Sequence, residues 1–457
     1  MNTLRFYIAL YVAKLAQFAL KLLGRNATYL PGKLASRISK DFLAHLVPPE
    51  TVIAVTGTNG KTTVSNLLTS ILTDNGYSVT NNSFGSNVQA GVISALIEDS
   101  DLLGRARKDV AVLEVDERSS LLIYPYLAPD YLICNNIMRD SIKRNAHTEF
   151  ISYVIDKALP RSTKLILNAD DLITSGLGSG GQEKVFFGLS AEKPKENLPQ
   201  HIRDIVYCPK CGALLNTEYV RYNHIGRHFC PECDLRSPTP DYCVTAVDRE
   251  HARFTVDHSG DINEYTLIND NIVNIYNFCG VIALLSEMGL RHEQTSKGFS
   301  ESKIVKTRLD QVVSGDLNIT MLMAKGQNPI ACARCYDYAA KAKLENKGLI
   351  LVVDDLGDNI KNSETTCWLY DCDYSALADP SIEQIVFAGP RCKDHYLRAL
   401  LAGVDASKIR LTPDSDKGAD LLDTDRCKNI FVLFELYRVK NADAVKNALI
   451  LRGKGGQ

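Results

Sequence analysis

The segment Gly57-Thr-Asn-Gly-Lys-Thr-Thr63 follows an apolar run, Thr51–Thr56, and precedes a helix-compatible stretch. A strand, a glycine-containing turn and a helix in that order build a phosphate site. Gly57 and Gly60 let backbone N–H groups of the loop converge on phosphate oxygens at the positive end of the following helix. Lys61 is placed to reach the β- and γ-phosphates and Thr62 to ligate Mg²⁺; Thr58, Asn59 and Thr63 complete the candidate nucleotide-binding set. Gly57 precedes Gly60 by only three positions, a shorter spacing than the common phosphate loop has. A second metal ligand is offered by Asp109–Val115, which reads as a buried strand with Glu114 near its end. Glu114 could hold Mg²⁺ opposite the loop, and Asp116 and Glu117 are either alternatives to it or surface charges.

A different chemistry is written in Cys208-Pro-Lys-Cys211 and Cys230-Pro-Glu-Cys233, two Cys-x-x-Cys knuckles 18 residues apart. Four thiolates at this spacing suit one tetrahedral Zn²⁺ and leave no open position for substrate, so the site is expected to be structural. His224 and His228 are alternative ligands that a full cysteine set makes unnecessary. Between the knuckles, Tyr219, Tyr222 and His228 can pack a ribbon. A zinc ribbon could bind nucleic acid, but residues 203–240 balance Arg203, Lys210, Arg221, Arg227 and Arg236 with Asp204, Glu218, Glu232 and Asp234, which argues against a nucleic-acid partner.

The elements that must position these residues follow from the apolar runs. Tyr131–Asn136 and Lys164–Asp171 read as further strands at α/β spacing, giving a parallel sheet with sites at its strand ends. From about residue 299 the runs Ile319–Met323, Gly348–Val353, Gln384–Ala388, Ile409–Leu411 and Asn429–Leu433 recur between helix-like segments such as Ala331–Leu344 and Lys393–Leu401, a second and mainly parallel α/β domain.

Composition sets the frame. The 457 residues suggest about three domains. With 45% hydrophobic and 23% charged residues and a net charge of −2, neither a general nucleic-acid coat nor an acidic solvating protein is expected. Thirteen cysteines, an odd number without a secretory signal, point to metal ligands and buried thiols in a reducing cytosol rather than to disulfides. Residues 1–45 stand apart: seven basic residues face a single acid, Asp41. Leu4, Ile8, Tyr11, Val12, Leu15, Phe18, Ala19 and Leu22 share one helical face, with Lys14, Lys21 and Arg25 beside it. Such a helix either packs on its own domain with a solvated basic flank, the reading the segment favours, or rests on an anionic membrane surface. No stretch is long enough to span a bilayer.

In this order the motifs resemble the Mur ligase superfamily. The loop 57–62 and the strand-end Glu114 match its pattern, followed by Asn136-Ile-Met-Arg-Asp140, Asn168-Ala-Asp-Asp171 and Asn274-Ile-Tyr-Asn277, the last resembling its adenine-side Asn-x-x-Asn motif. Ala324-Lys325 and Asn328-Pro329 resemble the segment at the start of its C-terminal domain. With the four-cysteine insertion the chain resembles the MurT family, ligase-like subunits of lipid II isoglutaminyl synthase. The resemblance implies an α/β fold: a basic amphipathic segment (1–45), a central P-loop domain with a parallel sheet (46–298, zinc ribbon at about 203–240) and a C-terminal Rossmann-like α/β domain (299–457). It also implies an ATP-dependent carbon–nitrogen ligase with Mg²⁺ and structural Zn²⁺. Lys61 and Glu114 would act catalytically, and Asn168, Asn274 and Asn277 would join the nucleotide site. Lipid II would be amidated on its stem D-glutamate with ammonia from a glutaminase subunit resembling GatD, at the inner face of the cytoplasmic membrane.

Two departures accompany the resemblance. The family's Asp-Gly-x-Asp-x-Ser-Trp stretch, whose acid is thought to complete the partner's Cys-His triad, corresponds to Asp354–Trp368, where Thr365 stands in the register of that acid. Glu364 or Asp358 would have to serve instead. After Arg139-Asp140 the residues 141–149 also diverge from the family. Another amino-acid ligase, folylpolyglutamate-synthetase-like or muramyl, and a nucleotide-binding scaffold are the competing readings.

Overall fold

The structure is a computed structural model describing residues 2–83, 85–140, 147–191, 203–301, 309–324, 328–354 and 366–455. The chain forms two compact units. One comprises Met1–Met138, Thr148–Leu198 and Asp204–Ile304, the other Arg139–His147, Pro199–Arg203 and Val305–Gln457.

The first unit is built on a nine-stranded sheet. Its strands are β1 (Thr51–Thr56), β2 (Val79–Asn81), β3 (Val110–Glu114), β4 (Tyr131–Cys134), β5 (Lys164–Asn168) and β6 (Lys184–Leu189), and, after a separate hairpin of β7 (Asn216–Tyr222) and β8 (Ile225–Phe229), β9 (Tyr242–Asp248), β10 (Arg253–His258) and β11 (Asp261–Thr266). The order is β11-β10-β9-β6-β5-β4-β1-β3-β2. From β2 to β9 neighbouring strands run parallel, and β9–β11 form an antiparallel edge. The middle strands are buried on both faces, which is why β1, β3 and β5 read as unbroken apolar runs rather than alternating ones.

Four helices pack near the start of this sheet: α1 (Asn2–Leu22), α2 (Leu30–Ile38), α3 (Lys61–Asp74) and α4 (Gln89–Glu98). Phe6, Ala9, Leu10 and Ala13 of α1 lie in the core with residues of α2, α4 and the sheet. Polar anchors fix the same side. The Lys14 ammonium donates to the Ile97 and Ser100 carbonyls at the C-terminal end of α4 (2.8 and 2.9 Å), and the Gln17 amide donates to the Ser94 carbonyl (2.8 Å). A cation at the carbonyl end of a helix is favourably placed. The helix thus packs on its own domain, but not by the face that its periodicity advertises: Leu4, Ile8, Tyr11, Leu15, Phe18 and Leu22 point outward. The inner face sets only Phe6 and Leu10 among alanines and the buried Gln17, so the sequence pattern is dominated by the more numerous large residues outside.

The second unit carries a six-stranded sheet of β12 (Leu309–Ser314), β13 (Leu317–Met323), β14 (Lys347–Val352), β15 (Ile382–Ala388), β16 (Ile409–Thr412) and β17 (Asn429–Phe434) in the order β12-β13-β17-β14-β15-β16. All pairs are parallel except the hairpin β12–β13. Separate apolar clusters cover its two faces. The edge strand β12, absent from the sequence expectation, mixes polar residues (Asp310, Gln311, Ser314) with Leu309, Val312 and Val313 and so lacks the run that marks its neighbours.

Candidate nucleotide site and metal centre

The loop between β1 and α3 is held open by its glycines. Gly57 and Gly60 have φ of 115° and 93°. A Cβ on Gly57 would come 2.8 Å from the Asn136 carbonyl, and one on Gly60 would come 2.5 Å from Asn277 Oδ1 and 2.8 Å from Asn135 Nδ2. Conformation and space both require glycine there. The loop leans on the segment after β4. The Thr58 hydroxyl accepts from Met138 N–H (2.9 Å) and donates to its carbonyl (3.0 Å), while Asn59 N–H donates to Asn136 Oδ1 (3.0 Å). The side chains of Thr58 and Asn59 therefore shape the loop, and it is the backbone of the turn and the first turn of α3, with Lys61, Thr62 and Thr63, that offers groups to a phosphate.

Parallel pairing sets Glu114 beside Val55, one residue before the end of β1. The Thr62 hydroxyl donates to Glu114 Oε2 at 3.2 Å. Oε1 is buried and has no hydrogen-bond partner among the described residues. Burial pushes the Glu114 carboxyl above its ordinary pKa, against the opposing effects of the Thr62 hydrogen bond and the Lys61 charge. A buried carboxylate oxygen left unpaired beside a threonine hydroxyl is the donor set of a hard divalent cation, so Thr62 and Glu114 fit Mg²⁺. Asp116 and Glu117 are both buried rather than surface charges. Glu117 pairs with Lys61 at 2.8 Å, and the Lys61 ammonium also donates to the Gly57 carbonyl. This role of Glu117 was not foreseen, although its place directly after a strand-end acid pair is visible in the sequence.

The predicted asparagines separate into two roles. Asn277 lies against Gly60 and donates to Asn274 Oδ1 (3.3 Å). Asn135, which the sequence did not single out, crowds the same glycine, and its amide together with Asn277 Oδ1 is buried without a hydrogen-bond partner among the described residues. Asn168 is fully buried beneath: its amide donates to the Asn135 carbonyl (3.0 Å) and its Oδ1 accepts from Asp170 N–H (3.0 Å). It supports the floor of the site rather than facing the loop.

In the inserted ribbon, Cys208, Cys211, Cys230 and Cys233 bring their Sγ atoms within 4.8 Å of one another. The Cys208–Cys233 and Cys211–Cys230 separations are 3.6 and 3.4 Å. A tetrahedral Zn²⁺ at about 2.3 Å from each sulfur sets neighbouring sulfurs roughly 3.8 Å apart, and a disulfide would need about 2.05 Å. The N–H groups of Lys210 and Glu232 point at Cys208 and Cys230 Sγ, both at 3.4 Å, as a thiolate pair in each knuckle requires. The residues fit zinc.

Neither histidine joins them. His228 spans Thr217 Oγ1 (3.0 Å) and the His224 carbonyl (2.8 Å). His224 sits at the tip of the β7–β8 hairpin, where Asn223 takes φ 52°, and reaches Asp171 Oδ1 (3.1 Å) with Asp204 Oδ2 3.6 Å away. Burial disfavours the charged ring, yet the two carboxylates raise its pKa to about 9. Asp170 accepts from the Tyr276 hydroxyl (2.7 Å) and faces Arg221 and Arg227 (3.9 and 3.6 Å). The hairpin is thus nailed to the end of β5 by buried charge.

In the second unit Trp368 is buried against His395, and Asp371 pairs with Arg139 at 3.5 Å. Asp140 is buried and accepts from the Asn328 amide (3.0 Å), whose Oδ1 caps the helix Pro329–Lys341. Lys325, Asp358, Glu364 and Thr365 lie outside the described residues.

Residues 55–222 match the Mur ligase middle domain and residues 326–437 the MurT ligase C-terminal domain. The chain belongs to the MurT family of Mur ligases. The lipid II isoglutaminyl synthase (glutamine-hydrolyzing) subunit MurT of Staphylococcus aureus strain COL is 29% identical over 408 residues, 89% of this chain and 90% of that protein. Its counterpart from Streptococcus pneumoniae strain ATCC BAA-255 / R6 is 27% identical over 437 residues, 94% of each. Among solved structures, a pseudomurein peptide ligase type C from Methanothermus fervidus shares the fold with a TM-score of 0.65 at 20% identity, covering 91% of this chain and 84% of that one. Mur ligases depend on ATP and Mg²⁺. Among the described residues, no helix is long and apolar enough to cross a membrane.

Proposed function

We propose that the chain is the ATP-dependent ligase subunit of a two-component synthase that amidates the α-carboxylate of the stem D-glutamate in lipid II. The observation that carries the reading is the convergence of Lys61, Thr62 and the half-unpaired Glu114 at one loop, in a chain whose residues 326–437 match the MurT ligase C-terminal domain. In the first step a carboxylate oxygen of the substrate attacks the γ-phosphorus of ATP and ADP leaves, giving an acyl phosphate. In the second, ammonia attacks the acyl carbon, phosphate leaves and a proton is lost. Lys61, exchanging the Gly57 carbonyl for phosphate while Glu117 keeps it oriented, holds the β/γ-phosphate oxygens, and the loop amides with the N-terminus of α3 bind the charge that develops on the transferred phosphoryl group. Thr62 and Glu114 would hold Mg²⁺, which would supply further neutralisation of that charge. Zn²⁺ on Cys208, Cys211, Cys230 and Cys233 fastens the ribbon and takes no part in the reaction.

The ammonia comes from a glutaminase subunit resembling GatD, and Glu364 or Asp358 supplies the acid that orients the partner's histidine. The test supplies lipid II, ATP and either ammonia or glutamine, with and without the partner, and follows product mass. Product from ammonia without the partner, and from glutamine only with it, is expected. Product that appears only when an amino acid is added sinks the reading.

A further inference from the structure

We infer that α1 is an interfacial helix that docks this chain on the anionic surface of a lipid bilayer. The inference rests on the proposed reading for the surface concerned, a membrane that carries the lipid-linked substrate, and on geometry for the rest. The helix has two apolar faces on opposite sides. Phe6, Ala9, Leu10 and Ala13 fill the core. On the other side Leu4, Leu15, Phe18 and Leu22 are 68%, 68%, 64% and 77% exposed, with Ile8 and Tyr11 between them. The spacing is the three-and-four alternation of a continuous stripe along five turns. A surface helix ordinarily presents polar side chains there, and a contiguous apolar stripe of this length marks an interaction surface.

Charge selects the occupant. Residues 2–40 contain no acid at all, and Arg5 on α1, Arg25 just beyond it, Arg37 on α2 and Lys40 after α2 are exposed. Glu98 of α4 pairs with Lys21, but the helix itself carries no acid, so a second copy would set one predominantly basic segment against another and like charges would repel across the contact. An anionic leaflet complements both the apolar stripe and the exposed basic residues of the same segment. Lys14 and Gln17 hold the inner face on α4, so the stripe can meet a bilayer only side-on, with the helix axis in the plane of the surface.

The test is vesicle flotation of the full chain without substrate or nucleotide. Wild-type protein should bind vesicles containing about one third phosphatidylglycerol at least ~10-fold more tightly than pure phosphatidylcholine vesicles, and high salt should weaken that binding. The double variant Leu15→Glu/Phe18→Glu changes two outward side chains. It should keep the wild-type melting temperature and lose the vesicle binding. Equal binding to neutral vesicles, undiminished binding by the variant, or a wild-type dimer that the variant dissociates would overturn the inference. Amidation of detergent-dispersed lipid II with ammonia separates the two readings. If it proceeds while vesicle binding is absent, the docking surface is wrong; if vesicles bind and no amide forms, the assigned reaction is wrong.

Discussion

Lys61 sits between two oxygen acceptors, the Gly57 carbonyl and the Glu117 carboxylate, and must exchange at least one of them for a phosphate. Lys61→Ala removes the only side chain of the loop that carries positive charge, and a fall of about 100-fold or more in kcat/KM for ATP is expected in steady-state amidation assays. Glu117→Gln acts differently. It strips a negative charge 2.8 Å from the ammonium, so KM for ATP should hold or fall while kcat drops about 10-fold because Lys61 loses its orienting partner. A rise in KM with kcat unchanged would contradict this role. For Glu114→Gln the neutral amide keeps the Thr62 contact but offers a poorer metal ligand, and the Mg²⁺ concentration giving half-maximal rate should rise about 10-fold. What sequence alone misses at this scale is pairing. Glu114, Asp116 and Glu117 look interchangeable in a line of acids. Only the backbone turn after β3 decides which carboxylate meets Thr62 and which meets Lys61.

The zinc ribbon makes its firmest attachment through one hairpin tip. Ile137 N–H and the Thr174 hydroxyl donate to Asp171 Oδ2 (2.8 and 2.6 Å) while His224 engages Oδ1, so the ribbon and the segment bearing Asn136 and Met138 share one buried carboxylate. A histidine whose folded pKa is raised from about 6.5 to about 9 stabilises the fold fully below its unfolded value and loses that contribution as pH climbs through about 9. Denaturant unfolding should therefore show stability falling between pH 6.5 and 9 in the wild type. The slope should be shallower in His224→Gln. His224→Ala leaves Asp171 charged and buried with its cation gone, at a cost of roughly 3–5 kcal/mol; an alanine variant as stable as wild type would refute the buried pair. The cysteine spacing makes the four-thiol cluster legible, because two thiolates per knuckle is a local geometric demand. The docking was not legible, since His224 and Asp171 are far apart in sequence and nothing local ties a hairpin tip to a strand end.

At the scale of the molecule, most of the central parallel strands are readable because burial on both faces forces continuous apolar runs, as in β3, β5, β14 and β17, whereas the parallel strands β2, β6 and β9 are not among those the sequence reading names. The edge strands β10–β12 interleave polar and charged residues with apolar ones and carry no such run. Each unit owns a complete hydrophobic core, one beneath the nine-stranded sheet and one on each face of the six-stranded sheet. A chain so divided should not unfold in a single two-state step. The phosphate loop and the four cysteines that fit zinc lie in the first unit, so their ligands act on its transition. By mass action, nucleotide at 100 times its dissociation constant adds about 2.7 kcal/mol to the state that binds it. Calorimetry should resolve two transitions, of which ADP with Mg²⁺ raises one and zinc chelation lowers the same one. Val432→Ala, deleting two methyl groups in the buried centre of β17, should lower the other by an amount set by the cavity it opens. If nucleotide, chelator and Val432→Ala all move one and the same transition, the two sheets unfold as a unit and the division fails.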